Sequence, residues 1–200
     1  MRQEIAVIKY NAGNIHSVLS ALSRLGFNGI LTDNPEVIYQ SDKVIFPGVG
    51  EARSTMNYLK EKGLDEVIKK LTQPVLGICL GMQLLCLHSE EKDTDCLGIL
   101  PIRVKKFIPQ NNENVPHIGW NTLKTFNNPL FDGLKEDSFA YFVHSYYAEL
   151  SSETIAQTDY IFPFSAALQK NNFFATQFHP EKSGQVGETI LRNFLNKVSI

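Results

Sequence analysis

Apolar residues follow two alternating rhythms through the first half of the chain. Short unbroken runs, Ile5-Ala6-Val7-Ile8, Val44-Ile45-Phe46 and Val75-Leu76-Gly77-Ile78, read as strands buried on both faces. After the first run, Ile15, Val18, Leu19, Leu22 and Leu25 recur at three- and four-residue spacing. They form one stripe of an amphipathic helix, with Asn14 placed to cap it. A weaker strand is expected over Phe27 to Leu31, and a helical pattern covers Ala52 to Leu71, broken at Gly63. This alternation predicts an α/β, doubly wound, mostly parallel sheet, a class that holds its ligands beyond the carboxyl ends of the strands. The glycine-rich turn Pro47-Gly48-Val49-Gly50 and the corner at Cys79 both follow strands, so they share that edge.

The second half changes rhythm. Val115 to Ile118, Phe139 to Tyr147, Thr154 to Thr158, Ser165 to Lys170 and Phe173 to Phe178 are rich in β-branched and aromatic residues. They read as an additional mixed or antiparallel β region. A closing helix buries Ile190, Leu191, Phe194, Leu195 and Val198, while Glu90 to Asp95 reads as a solvated acidic loop.

Composition narrows the class. A length of 200 residues suits a single domain over 1–200 with a sizeable core. A net charge of −2 with scattered Lys and Arg argues against nucleic acid as a partner. No apolar run approaches a membrane span, and Met1-Arg2-Gln3-Glu4 opens no signal-peptide core. Three cysteines, an odd number without zinc spacing, predict no metal site and a reducing, cytoplasmic setting, with Cys86 and Cys96 structural.

Candidate chemistry centres on Gly77-Ile78-Cys79-Leu80-Gly81. A strand enters this corner and the helical pattern Met82, Leu84, Leu85 leaves it, the arrangement of a nucleophile elbow. Glycines two before and two after Cys79 remove side chains that would collide in so tight a turn. A thiol at a helix N-terminus meets the positive end of the helix dipole, which favours the reactive thiolate, and the Leu80 N–H would point toward the oxyanion forming at the attacked carbon. The competing reading is a small buried hydrophobe, the usual fate of a free cysteine.

A nucleophile needs a base. His179 ends the strand Phe173 to Phe178, and Pro180 keeps it extended. Residues two apart on an extended segment project to the same side, so Glu181 reaches the His179 ring and orients it. Cys79, His179 and Glu181 form the expected triad. Gly48-Val49-Gly50 would be a phosphate loop only with a further glycine where Arg53 stands, so its N–H groups read instead as a second oxyanion donor.

In this order, Phe46-Pro47-Gly48-Val49-Gly50, Gly77 to Gln83, Pro116 to Asn121, Tyr141 to Tyr147 and Gln177 to Gly184 resemble the class I (triad) glutamine amidotransferases. Within them they look like the glutaminase subunits of imidazole glycerol phosphate synthase, in which His-x-Gly-Trp-Asn and His-Pro-Glu-Lys-Ser separate this branch from its relatives. The resemblance implies a single amidotransferase domain on a flavodoxin-like sheet, with no cofactor. Cys79 would attack the amide of L-glutamine, Val49 and Leu80 would form the oxyanion hole, and Gly48, Gly50, Gln83, Ser145 and Tyr146 would hold the substrate. Ammonia would pass to a separate (β/α)₈-barrel cyclase, which alone needs about 250 residues and so belongs to another polypeptide. Trp120, Asn121 and Lys182 would meet that partner, although for Trp120 a core position is an equal reading.

Two alternatives stay open: an amidotransferase subunit serving another synthase, and a flavodoxin-like sensor with an oxidisable Cys79. The first loop, Lys9-Tyr10-Asn11-Ala12-Gly13-Asn14, departs from the family's Asp-Tyr-Gly-x-Gly-Asn at Lys9 and Asn11.

Overall fold

The computed structural model describes residues 3–10 and 15–198, so Asn11 and the proposed cap Asn14 lie outside the described residues. Four short strands, β1 (Ile5–Ile8), β2 (Gly29–Thr32), β3 (Lys43–Phe46) and β4 (Val75–Ile78), alternate with helices α1 (Ile15–Arg24), α2 (Pro35–Gln40), α3 (Ala52–Glu61) and α4 (Leu64–Lys69). Helix α5 (Leu80–Leu85) follows β4 directly. Then come β5 (His88–Ser89), β6 (Thr94–Asp95), β7 (Arg103–Lys106), β8 (His117–Thr125), β9 (Ser138–His144), β10 (Tyr146–Ala148), β11 (Thr154–Asp159), β12 (Pro163–Lys170), β13 (Phe173–Thr176) and the closing helix α6 (Gly184–Asn196).

The main sheet runs β2-β1-β3-β4-β13-β12-β11-β8-β9. Its first five strands are parallel and the remainder antiparallel. Unbroken apolar runs in β1, β3 and β4 are explained by helices on both faces. Ile5, Val7, Ile45 and Leu76 pack toward α1 and α6, and Ala6, Ile8, Val44 and Val75 toward α3, α4 and α5. Every member of the expected α6 stripe is buried. The Phe194 carbonyl in the last turn of α6 and the Val198 carbonyl just beyond it accept from the buried Lys43 ammonium.

Three expectations shift. The weak strand runs Gly29–Thr32, not Phe27 to Leu31. Phe139 to Tyr147 is two strands: the chain leaves the main sheet after β9 and enters a small sheet, β10-β7-β5-β6, as β10. The crossing residue Ser145 gives its carbonyl to the Phe107 N–H at 2.9 Å, and this jump carries residues 145–146 over the end of β4. The acidic segment is not a free loop either. Thr94 and Asp95 form β6, and the Glu91 carboxylate accepts the Ala52 N–H at 2.7 Å, satisfying an open donor at the start of α3. Helix α2 has no counterpart in the sequence reading; Asn34 caps it by accepting the Glu36 N–H at 2.9 Å, and Ile38 is its one buried residue.

Candidate active site

The carboxyl ends of β3, β4 and β13 converge on one point, with Gly48–Gly50, Cys79 and His179 at their tips. Cys79 holds the strained corner, φ 53° and ψ −106°, fixed by its N–H donating to the Thr176 carbonyl at 2.7 Å. The flanking glycines are sterically required. A Cβ on Gly81 would stand 2.0 Å from the Phe46 carbonyl oxygen, and one on Gly77 would stand 2.7 Å from the Leu85 side chain. The first turn of α5 therefore lies against the end of β3, which no side chain at position 81 permits.

His179 is 1% exposed. Its N–H donates to the Tyr141 carbonyl at 2.9 Å and its carbonyl accepts from the Ser183 hydroxyl at 2.7 Å, so both neighbouring elements hold its backbone. Nδ1 lies 2.7 Å from Glu181 Oε1, in a pair whose side chains are each 2% exposed. A carboxylate in that position accepts a hydrogen bond from Nδ1–H and leaves Nε2 for chemistry; Nε2 itself is buried without a hydrogen-bond partner. Burial alone would push the His179 pKa down, but the Cys79 sulfur and the Glu181 carboxylate outweigh it and raise it to about 10.

Cys79 and His179 line a cavity of about 320 Å³ together with Val49, Gly50, Leu80, Gln83, Ser145 and Tyr146, all candidates from the sequence. Gly48 is not part of that wall. It packs on the elbow, where an added Cβ would meet Gly81 N at 2.4 Å, and its carbonyl accepts the Leu80 N–H at 3.4 Å.

Two residues that sequence reasoning left without a role are at the site. Among the described residues, Glu91 supplies the only carboxylate on the cavity wall, and burial raises its pKa. Fully buried Gln177 donates Nε2–H to the Cys79 sulfur at 3.7 Å. Its position two residues before His179 on an extended segment was the available signal.

The three interface candidates separate. Trp120 is 55% exposed, against the core reading, and stands edge-on to Tyr141 on the outer face of the β8–β9 pair. Lys182 is exposed. Asn121 turns to the opposite, inner face and bonds to His117 and the Asp159 carbonyl, because adjacent strand residues alternate. Cys86 and Cys96 are removed from the chemistry: burial raises both thiols, Cys96 to about 12. Among the described residues no group of His, Cys, Asp or Glu is arranged to hold a metal ion, and no helix is long and apolar enough to cross a membrane.

Two further buried histidines set an acid limit on the fold. Burial lowers His117 to about 4 and His144 to about 3, whereas an unfolded histidine titrates near 6.5. Between those values the unfolded chain binds protons that the folded one refuses, so stability falls as pH drops from about 6.5 toward 4. His117 alone contributes a loss on the order of 3 kcal/mol, and His144 adds in the same direction. His179, with its raised pKa, acts oppositely and only at higher pH, its contribution being lost between about 6.5 and 10. Denaturant midpoints measured from pH 7 to pH 4 are expected to fall steadily, and the fall should be reduced by about half in a His117→Phe variant, which leaves the His144 contribution in place.

The sequence pattern of the family described as "Glutamine amidotransferase class-I" matches residues 6–198. The chain belongs to the class I glutamine amidotransferases. Within that class it is 61% identical over 194 residues to "Imidazole glycerol phosphate synthase subunit HisH" of Bacteroides thetaiotaomicron, covering 96% of this chain and 99% of that protein. It is 46% identical over 192 residues to the protein of the same name from Idiomarina loihiensis, covering 96% of each. The fold recurs at TM-score 0.75 and 21% identity in a putative GMP synthase protein from Thermoplasma acidophilum, covering 98% of this chain and 93% of that one.

Proposed function

We propose that this chain is the glutaminase subunit of imidazole glycerol phosphate synthase, acting in histidine biosynthesis, and that Cys79, His179 and Glu181 carry its chemistry. The observation that carries the triad is the buried His179–Glu181 pair beside a sulfur held at a strained elbow. The Cys79 sulfur attacks the carboxamide carbon of glutamine, and His179 Nε2 protonates the departing ammonia. A glutamyl thioester remains. Water, deprotonated by Nε2, then attacks the thioester carbon and releases glutamate and the Cys79 sulfur. Glu181 keeps Nδ1 protonated through both steps.

The oxyanion donors are incomplete at rest, since the Leu80 N–H is given to the Gly48 carbonyl. That carbonyl and the Val49 N–H belong to one peptide plane. Turning the plane over releases Leu80 and presents Val49 N–H in place of the carbonyl, giving two donors at once. Glycines at 48 and 50, the latter already at φ 135°, make the turn sterically feasible. Glu91 faces the α-ammonium of the substrate, and the 145–146 backbone with Gln83 surrounds its carbon chain.

Ammonia passes to a separate barrel cyclase. The outer face of β8 and β9 suits that partner, with Ile118, Trp120 and Phe139 more than half exposed and Lys182 nearby in sequence to the triad. A diazo-ketone analogue of glutamine tests the site directly. It is expected to add one mass increment on the peptide carrying Cys79, and excess glutamine should prevent it. Labelling that glutamine does not slow would favour the thiol-sensor alternative.

A further inference from the structure

The hydrolysis uses one histidine, yet two more are buried beside it. His117 and His144 are 3% and 6% exposed, and their rings meet, His117 Nδ1 to His144 Nε2, at 3.2 Å. His144 Nδ1 lies 2.7 Å from the Tyr146 carbonyl. A carbonyl only accepts, so His144 Nδ1 carries the proton. In a neutral ring Nε2 is then an acceptor, and His117 Nδ1 must donate to it. That leaves His117 Nε2 as an acceptor, facing Asn121 Nδ2 at 3.3 Å.

Asn121 cannot reverse its amide. Its Nδ2 also donates to the Asp159 carbonyl at 2.9 Å, and its Oδ1 accepts the Thr122 N–H at 2.8 Å. The His117 ring is stacked against Tyr160 at 4.0 Å and Phe142 at 5.0 Å, so its plane is fixed as well. Each link therefore dictates the next, from Asn121 to the Tyr146 carbonyl. The chain needs both rings neutral, which is the direction in which burial drives them.

A second arm reaches the same carbonyl. Gln83 Nε2 donates to it at 3.0 Å and to Gln177 Oε1 at 2.9 Å, and Gln177 Nε2 donates to the Cys79 sulfur. Both lone pairs of the Tyr146 carbonyl are thus occupied. The stretch of backbone that walls the cavity is tied on one side to the nucleophile and on the other to strand β8.

We propose that His117 is a positioning residue for glutamine: its Nδ1–H locks His144 in the tautomer that anchors the Tyr146 carbonyl, and this fixes the wall of the substrate pocket. The proposal rests on the glutaminase reading. His117 touches neither substrate nor triad, so its loss acts through the 145–146 backbone. In His117→Phe the aromatic stack survives but the donor is gone. His144 Nε2 then has no donor, so the ring and its tautomer are held from the Tyr146 side alone and the anchor on that carbonyl loosens.

The test compares unsubstituted protein, His117→Phe and His117→Asn, each assembled with the cyclase subunit. Asparagine places an amide N–H the same number of bonds from Cα as histidine Nδ1. For His117→Phe, KM for glutamine is expected to rise about tenfold, the weight of one buried hydrogen bond, with kcat within about twofold; His117→Asn should recover most of the loss. Two-bond proton–nitrogen spectra of the unsubstituted protein should show His144 protonated at Nδ1. His144 protonated at Nε2, or an unchanged KM in His117→Phe, would overturn the proposal. Absence of glutamine turnover in the unsubstituted protein would instead overturn the glutaminase reading, and the spectrum would still decide whether the lock exists.

Discussion

Cys79→Ala is expected to abolish glutamate release, lowering turnover by at least about four orders of magnitude, because no other group at the site can form the thioester. The loss should be one of chemistry and not of folding. The side chain is 7% exposed and small, so its removal leaves little cavity. The elbow is held instead by the Cys79 N–H to Thr176 and by the contact of Gly81 with Phe46, neither of which involves the thiol. A glutamate assay paired with thermal unfolding checks both halves. The variant should unfold within a few degrees of the unsubstituted protein while producing no glutamate above background.

The second large effect is expected from Glu181→Gln. The substitution keeps the volume of a side chain that is 2% exposed but removes the charge facing His179 Nδ1 at 2.7 Å. Without that charge the imidazolium formed in each proton transfer loses its buried counter-ion, and the ring loses its fixed tautomer. Turnover should fall by about a hundredfold to ten-thousandfold. KM should change little, since Glu181 does not line the cavity beside Cys79. A change in KM alone, with turnover intact, would place Glu181 in binding and remove it from the triad.

The sequence made some of this legible and hid the rest for identifiable reasons. Strands β1, β3 and β4 could be read because burial on both faces forces unbroken apolar runs, and the elbow because its glycines answer a local steric demand. Bringing Cys79, His179 and Glu181 together needed only the pairing of an elbow with a His-Pro-Glu strand end. Helix α2 and strands β5 and β6 escaped because six or two residues cannot display a period, and a single buried Ile38 makes no stripe. Glu91 escaped for a different reason. Its place depends on the chain between α5 and β7 folding back over the start of α3, a contact that no local pattern records. The orientation of Asn121 was within reach, since the alternation of β8 already sets it opposite Trp120. Its link to His117, however, depends on β8 pairing with β9, which brings His117 opposite His144.

The central claim is that this chain releases ammonia from glutamine for a cyclase that completes its site. The most direct measurement is glutamate release by the chain alone, then with the barrel cyclase, then with the cyclase and its nucleotide ligand. At rest the Leu80 N–H is bound to Gly48, so slow release is expected from the chain alone and strong stimulation only when both additions are present. Release that ignores the cyclase and its ligand would contradict the synthase assignment, and no release in any mixture would contradict the glutaminase itself.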